Sequence, residues 1–131
     1  MTDALSALAA AKFVSLTTFK KDGTAVAAPM WIGRDADHLF VWTPADSWKV
    51  KRAKNNPRVV LAASSRGGKV REGADPVDGV AEVITEPATV QRLAGVIRRK
   101  YGLEFVIVTF IERLLARGQK PRVVLRIALS S

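Results

Sequence analysis

Apolar residues recur at every second position through several short runs of this chain, and turn signals separate the runs. A period of two sends successive side chains to opposite faces of a strand, so the pattern points to a β architecture before composition is considered. Lys12 to Lys20 sets Val14 and Leu16 on one face and Phe13, Ser15, Thr17 and Phe19 on the other, and Lys21-Asp22-Gly23 carries an Asp-Gly hairpin signal. Thr24 to Arg34 follows, with Val26, Ala28, Met30 and Ile32 opposite Ala25, Ala27, Pro29 and Trp31. Both faces are apolar, which predicts cover on both. Pro29 cannot donate to a ladder and suits an edge or a bulge. Asp35-Ala36-Asp37 turns the chain into a third strand, His38 to Thr43, so the first three strands are expected to form an antiparallel meander. Arg58 to Ser64, Val77 to Thr85 and Arg122 to Leu129 complete a set of six strands.

Helical patterns interrupt this set at defined places. Residues 3 to 11 suit a short helix capped by Thr2 or Asp3, and Asp46 is placed to cap a basic helix from Ser47 to Asn55 that Asn56-Pro57 ends. Pro87 opens a longer helix in which Val90, Leu93, Ala94, Ile97 and Tyr101 share a face, and Gly102 stands at its C-terminal cap. Residues 103 to 118 suit a helix or a strand equally, because a β-branched run leads into Glu112-Arg113-Leu114-Leu115. The expected fold class is therefore mainly β: a six-stranded, mostly antiparallel barrel with flanking helices.

No composition break or linker divides the 131 residues, so a single domain over 1–131 is expected. The absence of cysteine excludes disulfides, thiolate nucleophiles and Cys-ligated metals. The amino end carries Asp3 where a secretory leader carries bases, which points to a cytoplasmic protein. Phe105 to Ile111 is the most apolar stretch and falls far short of the roughly 20 residues that span a bilayer, so no membrane insertion is expected.

Neither a glycine-rich phosphate loop, a metal-spaced histidine pair nor a Ser/His/Asp constellation stands out, and no metal site is expected. His38 follows a turn, where a solvated role is the ordinary one. Any catalysis then depends on a bound cofactor, and no catalytic side chain is assigned. The net charge of +9 favours anionic partners. Between residues 49 and 71 lie Lys49, Lys51, Arg52, Lys54, Arg58, Arg66, Lys69 and Arg71, along with no acid. A solvated helix face would explain that cluster. So would an anion site, because Ser47, Trp48 and Lys49 occupy the first turn of a helix, whose free N–H groups and dipole favour phosphate. Trp31, Trp42 and Trp48 flank it, as core or subunit-interface residues or as walls for a planar ligand.

Phe13-Val14-Ser15-Leu16-Thr17-Thr18, Pro29-Met30-Trp31-Ile32, Leu39-Phe40-Val41-Trp42-Thr43, Asp46-Ser47-Trp48-Lys49-Val50-Lys51-Arg52 and Asn56-Pro57-Arg58-Val59 occur in that order. Over residues 12 to 129 the chain resembles the flavin- and deazaflavin-dependent oxidoreductases of the pyridoxamine-phosphate-oxidase-like split-barrel superfamily. The resemblance implies a split β-barrel of the FMN-binding type, working as a homodimer with the cofactor in a groove between subunits. On matching positions, Ala28, Pro29, Met30 and Trp31 would line the ring, Trp42 and Thr43 the middle, and Ser47, Trp48, Lys49 and Val50 the phosphate. Lys51 and Arg52 would continue toward the tail. Trp48 departs from the small residue that relatives often carry. The Lys-Val-Lys-Arg form is similar to the branch using coenzyme F420, whose anionic tail would follow Lys51, Arg52, Lys54, Arg58, Arg66 and Lys69; FMN is the alternative. The implied activity is hydride transfer to a small organic acceptor that the sequence does not name. A non-catalytic cofactor-binding protein is the second expectation. A nucleic-acid-binding barrel is the least favoured, and no nucleic acid is expected as a partner.

Overall fold

The computed structural model describes residues 4–116 and 121–130. Its centre is one antiparallel sheet of seven strands: β1 Phe13–Phe19, β2 Ala25–Met30, β3 Gly33–Asp35, β4 His38–Pro44, β5 Arg58–Ser64, β6 Val77–Ile84 and β7 Arg122–Leu129. Four helices flank it: α1 Ala4–Ala10, α2 Trp48–Asn55, α3 Pro87–Tyr101 and α4 Leu103–Ala116. The expected caps of α1, Thr2 and Asp3, lie outside the described residues.

The strand order β2-β1-β5-β6-β7-β4-β3 corrects two expectations. The described residues form seven strands, because the segment expected as one strand from Thr24 to Arg34 breaks at Trp31-Ile32 into β2 and β3. There is also no three-strand meander, since β2 pairs with β1 while β3 pairs with β4 at the opposite edge. The break dictates the shape. Six inter-strand steps of about 4.8 Å would hold the edges of a flat sheet about 29 Å apart, yet the chain from Met30 to Gly33 reaches at most about 11 Å. The sheet therefore curls toward a barrel whose edges meet at this corner without closing into a ladder.

Gly33 permits the corner, because a Cβ there would lie 2.4 Å from Phe40 Cζ. Side chains of α3 hold it through hydrogen bonds to backbone groups. The Ile32 N–H donates to Tyr101 Oη at 3.0 Å, Tyr101 Oη donates to the Lys12 carbonyl at 2.6 Å, and Lys100 Nζ donates to the carbonyls of Ala9, Ala11 and Ile32 at 2.9, 2.7 and 2.8 Å.

Alternation sorts the side chains as the period of two requires. Val14, Leu16, Leu39, Val41, Val59, Leu61, Val123, Leu125 and Ile127 fill the barrel, joined by Val50 and Ala53 of α2. Phe40 and Val124 point outward from β4 and β7 and meet Val90, Leu93, Ile97 and Tyr101 of α3. Burying each such large side chain contributes about 1.5–3 kcal/mol. The long helix ends at Gly102, at a φ of 55°.

Two further segments resolve differently from the sequence pattern. β2 is an edge strand, as Pro29 suggested, but Ala25, Ala27 and Pro29 are exposed rather than covered. Residues 103–116 are helical, and α4 turns Phe105 inward while leaving Phe110, Leu114 and Leu115 exposed at 59%, 64% and 81%.

Candidate cofactor site

The end of β4 leads directly into α2, so the barrel core that locks Val41 also fixes where the basic helix begins. Ser47, not Asp46, is the N-cap residue. Its side chain makes no capping bond, and its Oγ is buried with no partner. The first turn therefore keeps free donors of the kind that bind anions.

Lys49 projects from that turn into a half-buried position, where Nζ donates to Thr43 Oγ1 at 3.5 Å. Burial lowers its pKa below the ordinary lysine value, and the positive charges of Arg52 and Arg122 lower it further. Arg52 Nε donates to Thr18 Oγ1 at 2.6 Å. Glu112, which pairs with Arg122, is the carboxylate at this cluster. Lys49 thus feels two like charges, Arg52 and Arg122, of which Arg122 is paired with Glu112, an arrangement that an incoming anion would relieve. Arg122 escaped the sequence argument because β7 brings it in from 73 residues beyond Lys49.

A cavity of about 570 Å³ lies beside α2, walled by Lys20, Lys21, Val26, Trp48, Lys51, Arg52 and Asn55. Lys51 Nζ sits 4.3 Å from the centre of the Trp48 ring, which is largely exposed. Lys49 is not on this wall; Arg52 links the cavity to the buried cluster. The basic track differs from the expected one. Arg58 pairs with Asp78 at 3.3 Å and stacks on Phe19, while Arg66 pairs with Glu104 and stacks on Phe13. Lys20 and Lys21 of the hairpin stand at the cavity instead.

A second pocket, about 200 Å³, gathers Pro29, Met30, Trp31 and Trp42, together with Phe13, Val108, Glu112 and Arg122. Three of the four expected ring-lining residues thus share one wall with Trp42, which was expected at the middle of the cofactor. Trp31 stacks on Tyr101 at 4.4 Å, and Phe105 lies 5.2 Å from Trp42, so α4 roofs this apolar end. Ala28 lies opposite Leu16 in the β1–β2 ladder and off the pocket wall. Thr43 is buried and accepts a hydrogen bond from Lys49. Val50 is packed into the barrel at 1% exposure, so its side chain is spent on the core and only its backbone N–H remains for an anion. His38 lies beside Asp37, at 2.9 Å, away from both pockets.

The family model for pyridoxamine 5'-phosphate oxidase matches residues 1–131. The chain belongs to that family. Solved structures show the fold this family shares. One titled F420 reductase superposes with a TM-score of 0.65 at 18% identity, covering 100% of this chain and 97% of the other. A conserved hypothetical protein of Mycobacterium tuberculosis gives a TM-score of 0.73 at 21% identity, covering 100% and 82%. The heme storage protein HutZ of Vibrio cholerae gives 0.68 at 11% identity, covering 93% and 84%. Among curated protein sequences none matches. The family's split barrel is the curled seven-stranded sheet described above, and it carries flavin-type cofactors. Among the described residues no helix is long and apolar enough to cross a membrane.

Proposed function

We propose that this chain is an F420-dependent oxidoreductase that moves a hydride between the deazaflavin coenzyme and a small organic acceptor. The observation that carries the proposal is the half-buried Lys49-Arg52-Arg122 cluster at an uncapped helix start, adjoining a cavity lined by three further bases, Lys20, Lys21 and Lys51, and Trp48. A bound deazaflavin would supply the hydride chemistry. This chain's residues would bind and position it. Lys49, Arg52 and the N–H groups of Trp48, Lys49 and Val50 would take the phosphodiester, and Lys20, Lys21 and Lys51 the carboxylates of the tail. Pro29, Met30, Trp31 and Trp42 would hold the ring plane and exclude water beneath α4.

A homodimer completes this proposal. The outward face of α4 offers Val106, Ile107, Phe110, Ile111 and Leu114 to solvent, and the uncovered face of β2 lies at the sheet edge. Apolar area of that extent marks a surface for association. A cytoplasmic location belongs to the same proposal.

FMN is the second reading, and one observation favours it: Arg58 and Arg66 are engaged in ion pairs, which shortens the track for a polyanionic tail. Side-by-side fluorescence titration with FMN and the deazaflavin separates the two. Tight deazaflavin binding supports the proposal; tight FMN binding with no detectable deazaflavin binding overturns it. Bound coenzyme that a panel of quinones, enones and tetrapyrroles never turns over would indicate a holder rather than an enzyme.

A further inference from the structure

Among the described residues, three buried side-chain atoms have no hydrogen-bond partner: Ser47 Oγ, Trp42 Nε1 and Arg122 Nε. The first belongs to the α2 turn. The other two sit on one stacked pair, with the Arg122 guanidinium carbon 4.0 Å from the centre of the Trp42 ring. An orphaned buried donor costs about 1–3 kcal/mol, so two on neighbouring side chains call for an explanation.

Both residues also wall a cavity of about 400 Å³ on the α3 side of Trp42, which Thr85, Pro87, Val90, Gln91, Ala94 and Pro121 complete. Lys49 and the residues of the large α2 cavity are not on this wall. Indole and guanidinium nitrogens only donate, so a guest that satisfies them must bring acceptors. The Arg122 side chain is only 10% exposed, and Glu112 is its one protein acceptor among the described residues. Arg122 lies close enough to Lys49 for each to feel the other's charge, with Arg52 adjoining, so the surroundings carry surplus positive charge. The rest of the wall is chiefly apolar, interrupted by the Thr85 hydroxyl and the Gln91 amide.

We propose that this cavity binds a small carboxylic acid with an apolar body, its carboxylate held by Arg122 and the Trp42 indole N–H. A planar carboxylate matches the guanidinium fork, and a compact apolar body matches Pro87, Val90, Ala94 and Pro121. Neither orphaned nitrogen is open to solvent. Entry therefore requires Arg122 to swing from Glu112 and the Trp42 indole to turn so that both nitrogens face the guest, and the nearby Lys49 offsets the repulsion between the two carboxylates. No electron or proton transfer is involved; the site shares Arg122 and Trp42 with the proposed cofactor groove and lies on the opposite, α3 side of them.

Benzoate tests the proposal on the full chain, with benzamide and benzyl alcohol as uncharged controls, read by saturation-transfer NMR and tryptophan fluorescence. Saturable benzoate binding is expected, with the controls weaker by about tenfold or more, the range of a charged hydrogen bond. Arg122→Gln should lose the same factor. Because that variant leaves Glu112 unpaired, Ala94→Phe gives an independent arm: it fills the cavity from α3, touches no ion pair and should abolish benzoate binding. Equal binding of benzoate and benzamide, undiminished binding by Ala94→Phe, or no binding at millimolar benzoate would each overturn the proposal. Deazaflavin titration of Ala94→Phe keeps the two sites distinguishable, since coenzyme affinity should stay at the wild-type value.

Discussion

Among the described residues, two lysines are pulled below the ordinary lysine pKa by burial, and their surroundings differ in one respect. Lys100 donates to three backbone carbonyls at 2.7 to 2.9 Å and ties α1 and the β2–β3 corner to α3. Lys49 has one hydroxyl at 3.5 Å and two arginines as neighbours. The first ammonium is satisfied by the fold itself. The second is held where charge is disfavoured and nothing nearby repays the cost, which is how a binding group differs from a structural clamp. Removing each lysine should therefore have opposite consequences.

Lys49→Ala should weaken coenzyme binding by about 1.5–3 kcal/mol, the range of a charged hydrogen bond, while urea unfolding shows the apo protein no less stable. Unchanged affinity would place the phosphate elsewhere. Lys100→Met should do the reverse, lowering stability by about 1.5 kcal/mol with coenzyme affinity per folded molecule preserved. An unchanged denaturation midpoint would show that the three carbonyls are satisfied by water. Tyr101→Phe should cost about 1 kcal/mol, because the Lys12 carbonyl loses its donor and the Ile32 N–H its acceptor; equal melting temperatures would contradict it.

The pH dependence sharpens the contrast further. Lys49 has a folded pKa below its unfolded value, so its charged form opposes folding at neutral pH, and that penalty fades as pH rises through the folded pKa toward the unfolded one. A bound phosphate should cancel the penalty. Inorganic phosphate should therefore raise the melting temperature more near pH 7 than near pH 10, and Lys49→Met should flatten that difference. A phosphate effect independent of pH in both proteins would separate Lys49 from the anion.

Much of the scaffold was legible because each part obeys a local rule. Val14 and Leu16 alternate into the barrel, Arg122 to Leu129 forms β7 with the expected limits, and Pro87 and Gly102 bracket α3. The corner at Trp31-Ile32 was not legible. Ile32 continues the alternation of Met30, and what forces the break is contact between Gly33 and Phe40 together with bonds from Tyr101, all long-range. α4 resisted assignment because its outward face is as apolar as its inward one, which erases the period of 3.6. Within the site, Lys49 and Arg52 could be picked out from the basic helix, and Pro29, Met30, Trp31 and Trp42 do share a pocket. Arg122 could not, since strand pairing between β4 and β7 alone brings it to Trp42. Nor could the burial of Val50, which depends on which side of α2 faces the barrel.

A crystal structure grown with excess deazaflavin coenzyme tests the central claim most directly. The account predicts the phosphodiester within hydrogen-bonding distance of the Trp48–Val50 amides and Lys49 Nζ, with the ring against Pro29, Met30 and Trp42. Coenzyme bound away from α2, or an α2 start sealed by the partner subunit, would contradict it.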